Sequence, residues 1–89
     1  MTKVGGWTIP ETPEITEDVR KVLEEAVSGF VGSKIEPFAL LGTQIVAGVN
    51  YKLVCKVTPV IPDAETKLSI VTIYKPLTEK AELKDITDI

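Results

Sequence analysis

The sequence predicts an α+β fold, in which an antiparallel sheet of four to five strands is wrapped around one N-terminal α-helix. A single amphipathic stripe indicates the helix, and the segments after it alternate or run apolar as strands do. The turns between those strands are too short for parallel crossovers, so the strands must be antiparallel. One apolar helix face needs one face of a sheet to cover it. The 89 residues are expected to form a single domain, 1–89.

The helix has the clearest pattern in the chain. Thr16 is predicted to cap it, because a threonine hydroxyl can accept a hydrogen bond from a free amide of the first turn. Gly29 and Gly32 predict that the helix ends between residues 29 and 32. The apolar stripe consists of Val19, Val22, Leu23, Ala26, Val27 and Phe30.

Strands are predicted from the apolar and alternating segments that lie outside the helix. Pro37 and Gly42 predict bends or bulges in the first long strand. Breaker-rich residues 59–66 and 76–80 predict turns. The predicted strands are a short one within 4–9, around Trp7, and then 35–46, 49–59, 67–75 and 81–86.

Two of these strands carry apolar side chains on both faces, at residues 53–55 and 70–73. Either they are central strands with large side chains on both sides, or a partner covers the outer face. Trp7 is predicted to lie in the core or to cover the open end of the sheet. An exposed tryptophan there would instead indicate a binding surface.

Composition excludes several classes of function. The net charge is −3 and the lysines form no basic stripe, so no nucleic-acid partner is expected. No apolar run approaches the roughly 18–20 residues of a membrane helix, and no apolar leader follows the first residues. The sequence therefore predicts a cytoplasmic protein without a membrane partner.

Catalytic chemistry is not expected either. The chain has one cysteine, Cys55, and no histidine that could activate its thiol. Cys55 lies in an alternating strand, which predicts a packed and unreactive side chain. No phosphate-binding loop or metal-ligand cluster is present in the sequence, so we expect no enzyme activity, no cofactor and no metal site.

The segment between the two longest predicted strands carries the most informative motif. Residues 44–48 read Gln-Ile-Val-Ala-Gly, and Val49, Asn50 and Tyr51 follow. This motif resembles the first inhibitory hairpin of the cystatin family, where a Gln-Val-Val-Ala-Gly loop precedes Thr-Asn-Tyr. With a single cysteine, the chain is more similar to the disulfide-free stefins than to the secreted cystatins. Gly48 would allow the positive φ that a hairpin turn often requires.

The resemblance implies a reversible, non-covalent inhibitor of papain-like cysteine peptidases. In that family an N-terminal trunk, hinged at glycine, and two hairpin loops enter the active-site cleft together. The second loop would lie at 76–80, where Pro76-Leu77 stands in place of the Pro-Trp pair of secreted cystatins. The peptidase-binding residues implied by the resemblance are Val4, Gly5, Gly6, Gln44, Ile45, Val46, Ala47, Gly48, Pro76 and Leu77.

A second hypothesis is a cystatin-fold protein-binding or assembly module that inhibits no peptidase. The altered second loop and the two-faced strands motivate it. Chains of this family can exchange the N-terminal strand and helix, so a monomer with a domain-swapped dimer is expected. The inhibitor hypothesis predicts that Gly48→Glu abolishes peptidase binding without unfolding the protein.

Overall fold

The computed structural model describes residues 6–89. In these residues, one helix packs against a curled sheet of five antiparallel strands. The strands follow the order β1-β2-β3-β4-β5, so each one pairs with its neighbour in the chain. The predicted α+β class with its antiparallel sheet is confirmed for these residues. The elements are β1 Trp7–Thr8, α1 Glu17–Ala26, β2 Ser33–Val46, β3 Gly48–Pro59, β4 Lys67–Lys75 and β5 Glu82–Asp88.

The helix begins as predicted and ends early. Thr16 is extended, and its Oγ1 accepts a hydrogen bond from the Val19 amide at 3.4 Å. The helix ends at Ala26, so the prediction of an end between residues 29 and 32 is wrong. The Ser28 amide donates a hydrogen bond to the Glu25 carbonyl at 3.4 Å, and this bond closes the last turn. Phe30, the last residue of the predicted stripe, lies beyond the helix and is exposed.

Both predicted irregularities in the first long strand are confirmed. The pairing of β2 with β3 shifts between Pro37 and Ala39 and again between Leu40 and Gly42. Each shift adds one residue to β2, which bends the strand and increases its twist. Strand β4 has the predicted bounds, and β2, β3 and β5 differ from prediction by one or two residues at their ends. β1 lies within the predicted range and includes Trp7.

The core lies between the helix and the inner face of the sheet. Cys55 is fully buried on β3, and burial raises the pKa of its thiol to about 11. This burial confirms the predicted packed side chain, and the raised pKa favours the protonated thiol, which is the weaker nucleophile. Each large aliphatic side chain buried here contributes about 1.5–3 kcal/mol of transfer free energy. The buried apolar residues are Val19, Leu23, Leu40, Leu53, Cys55, Val71, Ile73 and Ala81.

The outer face of the sheet is partly apolar as well. Val54 of β3 pairs with Ile70 of β4, and both side chains are half-buried without any helix above them. Both strands are interior in the sheet, so neighbouring side chains supply this cover. This arrangement fits the interpretation of central strands with large side chains on both faces.

Trp7 is not a core residue, so the first of its two predicted positions is wrong. It is 41% exposed, and its ring packs over Gly42, where a Cβ would lie 3.5 Å from Cε3. The ammonium of Lys52 lies 4.7 Å from the ring centroid, in a cation–π contact. Trp7 therefore covers the outer face of β2.

Among residues 6–89, no helix is long and apolar enough to cross a membrane.

Candidate functional site

Three separate segments meet at one end of the sheet. Trp7 pairs with Gln44, and Val49 pairs with Lys75. Because neighbouring strands are antiparallel, the start of β1, the β2–β3 turn and the β4–β5 loop lie side by side. We define the tip surface as residues 6–7, 44–48 and 76–81.

The N-terminal part of the predicted site is described only at its last residue. Gly6 is a half-buried bend residue that leads directly into β1. Val4 and Gly5, also predicted to bind the peptidase, lie outside the described residues. Through Gly6, the chain enters the sheet at the same end as the two loops.

The β2–β3 turn is shorter than the motif. β2 continues to Val46 and β3 begins at Gly48, so Ala47 alone joins the two strands. Ile45 is 59% exposed, and Val46 and Ala47 are also exposed. The Tyr74 hydroxyl, from β4, donates a hydrogen bond to the Ala47 carbonyl. Apolar side chains thus project from a turn whose backbone is held by a third strand.

Gly48 has a packing role in addition to its turn conformation. Its φ is +119°, which confirms the predicted positive value. A Cβ at this position would lie 2.3 Å from the Lys75 carbonyl oxygen and 3.1 Å from Cα of Pro76. Gly48 is buried where the first turn presses against the β4–β5 loop. The structure therefore contradicts the expectation that Gly48→Glu acts on binding alone, because any side chain here strains the backbone and displaces the Lys75 carbonyl.

Gln44 braces the base of the hairpin. Asn50 is its register partner on β3, and the Asn50 Nδ2 donates to the Gln44 Oε1 at 2.9 Å. Such a cross-strand pair stabilises the hairpin directly below the turn. The two polar residues of the motif thus help to set the position of Ile45 and Val46.

The β4–β5 loop is held by side chains. Leu77 at its tip is 80% exposed, and the adjacent Pro76 is half-buried. The Lys75 Nζ donates to the Glu79 carbonyl at 2.6 Å, which closes the loop on itself. Both of the second-loop residues named by the resemblance therefore lie on a closed loop beside the first turn.

Glu25, on the helix, anchors this loop and was missed in the sequence. Its Oε1 accepts hydrogen bonds from the Ala81 amide at 2.5 Å and from the Lys75 Nζ at 3.2 Å. The Ala81 amide first, and then Lys75, hold the pKa of the Glu25 carboxyl below its ordinary value. The local sequence offers Lys21, four residues earlier, as a partner, whereas the fold pairs Glu25 with Lys75.

A groove of about 420 Å³ opens between the helix and β2, away from the tip surface. Its floor is apolar, with Leu23 and Val27 from the helix and Ile35 from β2, and its rim carries charges of both signs. No residue predicted from the sequence as a binding residue lines it. Within residues 6–89, no group of three or more potential metal ligands is found.

Comparison with known proteins leaves the family open. No protein-family model matches the chain, and no curated protein or solved structure gives a significant match.

Proposed function

We propose that this protein is a reversible, non-covalent inhibitor of papain-like cysteine peptidases and that the tip surface enters the active-site cleft. One observation carries the proposal. The strand register brings the two hairpin loops together with Gly6, the described end of the N-terminal segment, although the three are far apart in the chain. The exposed apolar side chains Ile45, Val46 and Leu77 lie on this surface.

The geometry of the first turn suits a blocking role. Ala47 is held between two paired strands, and its carbonyl already accepts the hydrogen bond from Tyr74. A turn in this state presents no extended peptide bond to a catalytic cysteine, so it occupies a cleft without being cleaved. A rigid turn also loses little conformational entropy on docking, so more of its contact energy remains as affinity.

The composition of the tip favours burial in a cleft. Residues 44–48 include no charged side chain, so docking requires no desolvation of a charge there. The side chains of Ile45 and Leu77 would each contribute about 1–2 kcal/mol when partly buried by the peptidase. Neither contribution alone would give tight binding, so both loops must enter the cleft together. Their position at the same end of the sheet allows this.

Titration of papain activity with the folded protein tests this proposal. We expect stoichiometric, reversible inhibition by the parent chain. Ile45→Asp should weaken inhibition at least about tenfold, because a charge would enter an apolar contact. Inhibition absent up to micromolar concentration would contradict the proposal.

Ile61→Asp provides a matched control. Ile61 is 66% exposed, close to the 59% of Ile45, and it lies in the β3–β4 turn at the opposite end of the sheet. We expect this variant to inhibit like the parent. If the two variants lose inhibition equally, the tip surface is not the binding site.

A protein-binding or assembly module without peptidase inhibition is the second candidate. The exposed aromatic rings of Trp7 and Phe38 favour it, since both lie on the outer face with a lysine ammonium above them. In this alternative the chain forms dimers by exchanging its N-terminal strand and helix, with Ala47 as the hinge. Light scattering at high concentration tests it, and a strict monomer would count against an assembly role.

A further inference from the structure

The β4–β5 loop is tied to the helix through a single carboxylate oxygen. Oε1 of Glu25 accepts the amide of Ala81 at 2.5 Å and Nζ of Lys75 at 3.2 Å. The same Nζ donates to the Glu79 carbonyl at 2.6 Å. Lys75, Glu79 and Ala81 therefore belong to one hydrogen-bond network with Glu25. Leu77 lies between Lys75 and Glu79 in the chain, on the segment that this network closes.

The helix itself gains little from Glu25. The residue precedes the last helical residue, where a negative charge faces the negative end of the helix dipole, and the last turn contains no basic residue. Among residues 6–89, the hydrogen bonds of the Glu25 side chain go to β4 and to the end of the loop. The energetic effect of this carboxylate is therefore concentrated on the loop.

We infer that Glu25 is a positioning residue for Leu77, so that the helix sets how strongly the second loop contributes to peptidase binding. This inference rests on the proposed inhibitory function and assigns to it a residue outside the tip surface. An 80% exposed leucine on a loop of six residues would otherwise sample many positions. Closing the loop on Glu25 reduces that freedom before docking, and less entropy is then lost on binding.

A double-mutant cycle on papain inhibition tests the inference. In the parent, Leu77→Ala should raise the inhibition constant about tenfold, as expected for the loss of a partly buried leucine contact. In a Glu25→Ala background, the same change should have less than about a twofold effect, since Leu77 is no longer held in place. An equal effect of Leu77→Ala in both backgrounds would overturn the inference, because a purely structural role for Glu25 predicts that result.

Glu24→Ala is the matched control. Glu24 is adjacent on the same helix and has the same side chain, but it makes no hydrogen bond or ion pair with the described residues. In this background Leu77→Ala should keep its tenfold effect. If Glu25→Ala fails to fold, Glu25→Gln replaces it, since the amide oxygen can still accept from Ala81 while the ion pair with Lys75 is lost.

A measurement without peptidase separates the inference from the proposed function. Amide relaxation by NMR should show residues 76–81 becoming mobile in Glu25→Ala and unchanged in Glu24→Ala. If the parent fails to inhibit papain, the proposed function falls, and this measurement still decides whether Glu25 orders the loop. A loop equally ordered in both variants would overturn the positioning role.

Discussion

The two loops of the tip surface are held in place by different means. The first turn is fixed by backbone pairing on both sides, by the conformation of Gly48 and by a hydrogen bond from Tyr74. The second loop depends on side chains, namely Lys75 and the distant Glu25. Because the first turn is held by main-chain packing, a side chain of the wrong size should disturb it. Because the second loop is held by a carboxylate and an ammonium, a change of charge should disturb it. The two loops should therefore respond to different perturbations.

The largest expected effect is on the shape of the first turn. Gly48→Ala should destabilise the protein by about 2–4 kcal/mol, because it adds both backbone strain and a clash with the Lys75 carbonyl. Urea unfolding followed by circular dichroism measures the change. Gly29→Ala is the control: beyond its two chain neighbours, no atom of the described residues lies within 4 Å of its Cβ position, and its φ is not positive. That variant should change stability by less than about 1 kcal/mol.

If the two glycine variants are destabilised equally, the packing of Gly48 against Lys75 has no measurable effect on stability. In that case Gly48 contributes only backbone entropy. The comparison of the two loops would then rest on hydrogen bonds alone.

A smaller effect is expected when the first turn loses its hydrogen bond to β4. Tyr74→Phe removes the hydroxyl that donates to the Ala47 carbonyl and should cost about 0.5–1.5 kcal/mol of stability. Amide relaxation of Ala47 should increase while that of Ala81 stays constant. Tyr51→Phe is the matched control, since the Tyr51 hydroxyl makes no hydrogen bond within residues 6–89. If Tyr51→Phe loosens Ala47 as much, the Tyr74 bond is not what holds the turn.

Acid should loosen the second loop selectively, with the smallest effect on overall stability. The pKa of Glu25 in the folded protein lies below its ordinary value of 4.5, first because of the Ala81 amide and then because of Lys75. The native state therefore binds this proton less readily than the unfolded state. The stabilising contribution is complete above pH 4.5 and is lost as the pH falls through the folded-state value.

An NMR titration from neutral to acidic pH measures this difference. The Ala81 amide should shift as Glu25 takes up its proton, and the Ala47 amide should stay largely unchanged. Glu25→Gln should abolish that step. Parallel changes at Ala47 and Ala81 would show that the two loops are held as one unit.

Patterns of a few residues were enough to predict much of the fold. The Thr16 cap, the bulges near Pro37 and Gly42 and the bounds of β4 all follow from local backbone constraints. The end of the helix was predicted three or more residues too late. Gly29 and Gly32 suggested the later end, but the last turn closes by backbone hydrogen bonds before either glycine is reached.

The candidate site was predictable where its residues form a contiguous motif. Residues 44–48 and Pro76-Leu77 were found because each is a short segment between predicted strands. Glu25 and Tyr74 were not found, since their partners lie 56 and 27 residues away in the chain. Helix and strand periodicities relate residues only a few positions apart, so they do not indicate contacts between such distant residues. The packing of Gly48 against Lys75 was missed for the same reason.

By itself, the sequence determined where the helix begins and approximately where the long strands and turns lie, because helix capping, side-chain alternation and glycine conformation act over one to four neighbours. Only the tertiary structure decided that Trp7 lies on the outer face, since a strand of two residues has no periodicity that distinguishes its faces. It also decided that three distant segments share one end of the sheet and that a helix carboxylate closes the second loop. These relations depend on strand register and on where the helix crosses the sheet, and both arise from packing of the whole core.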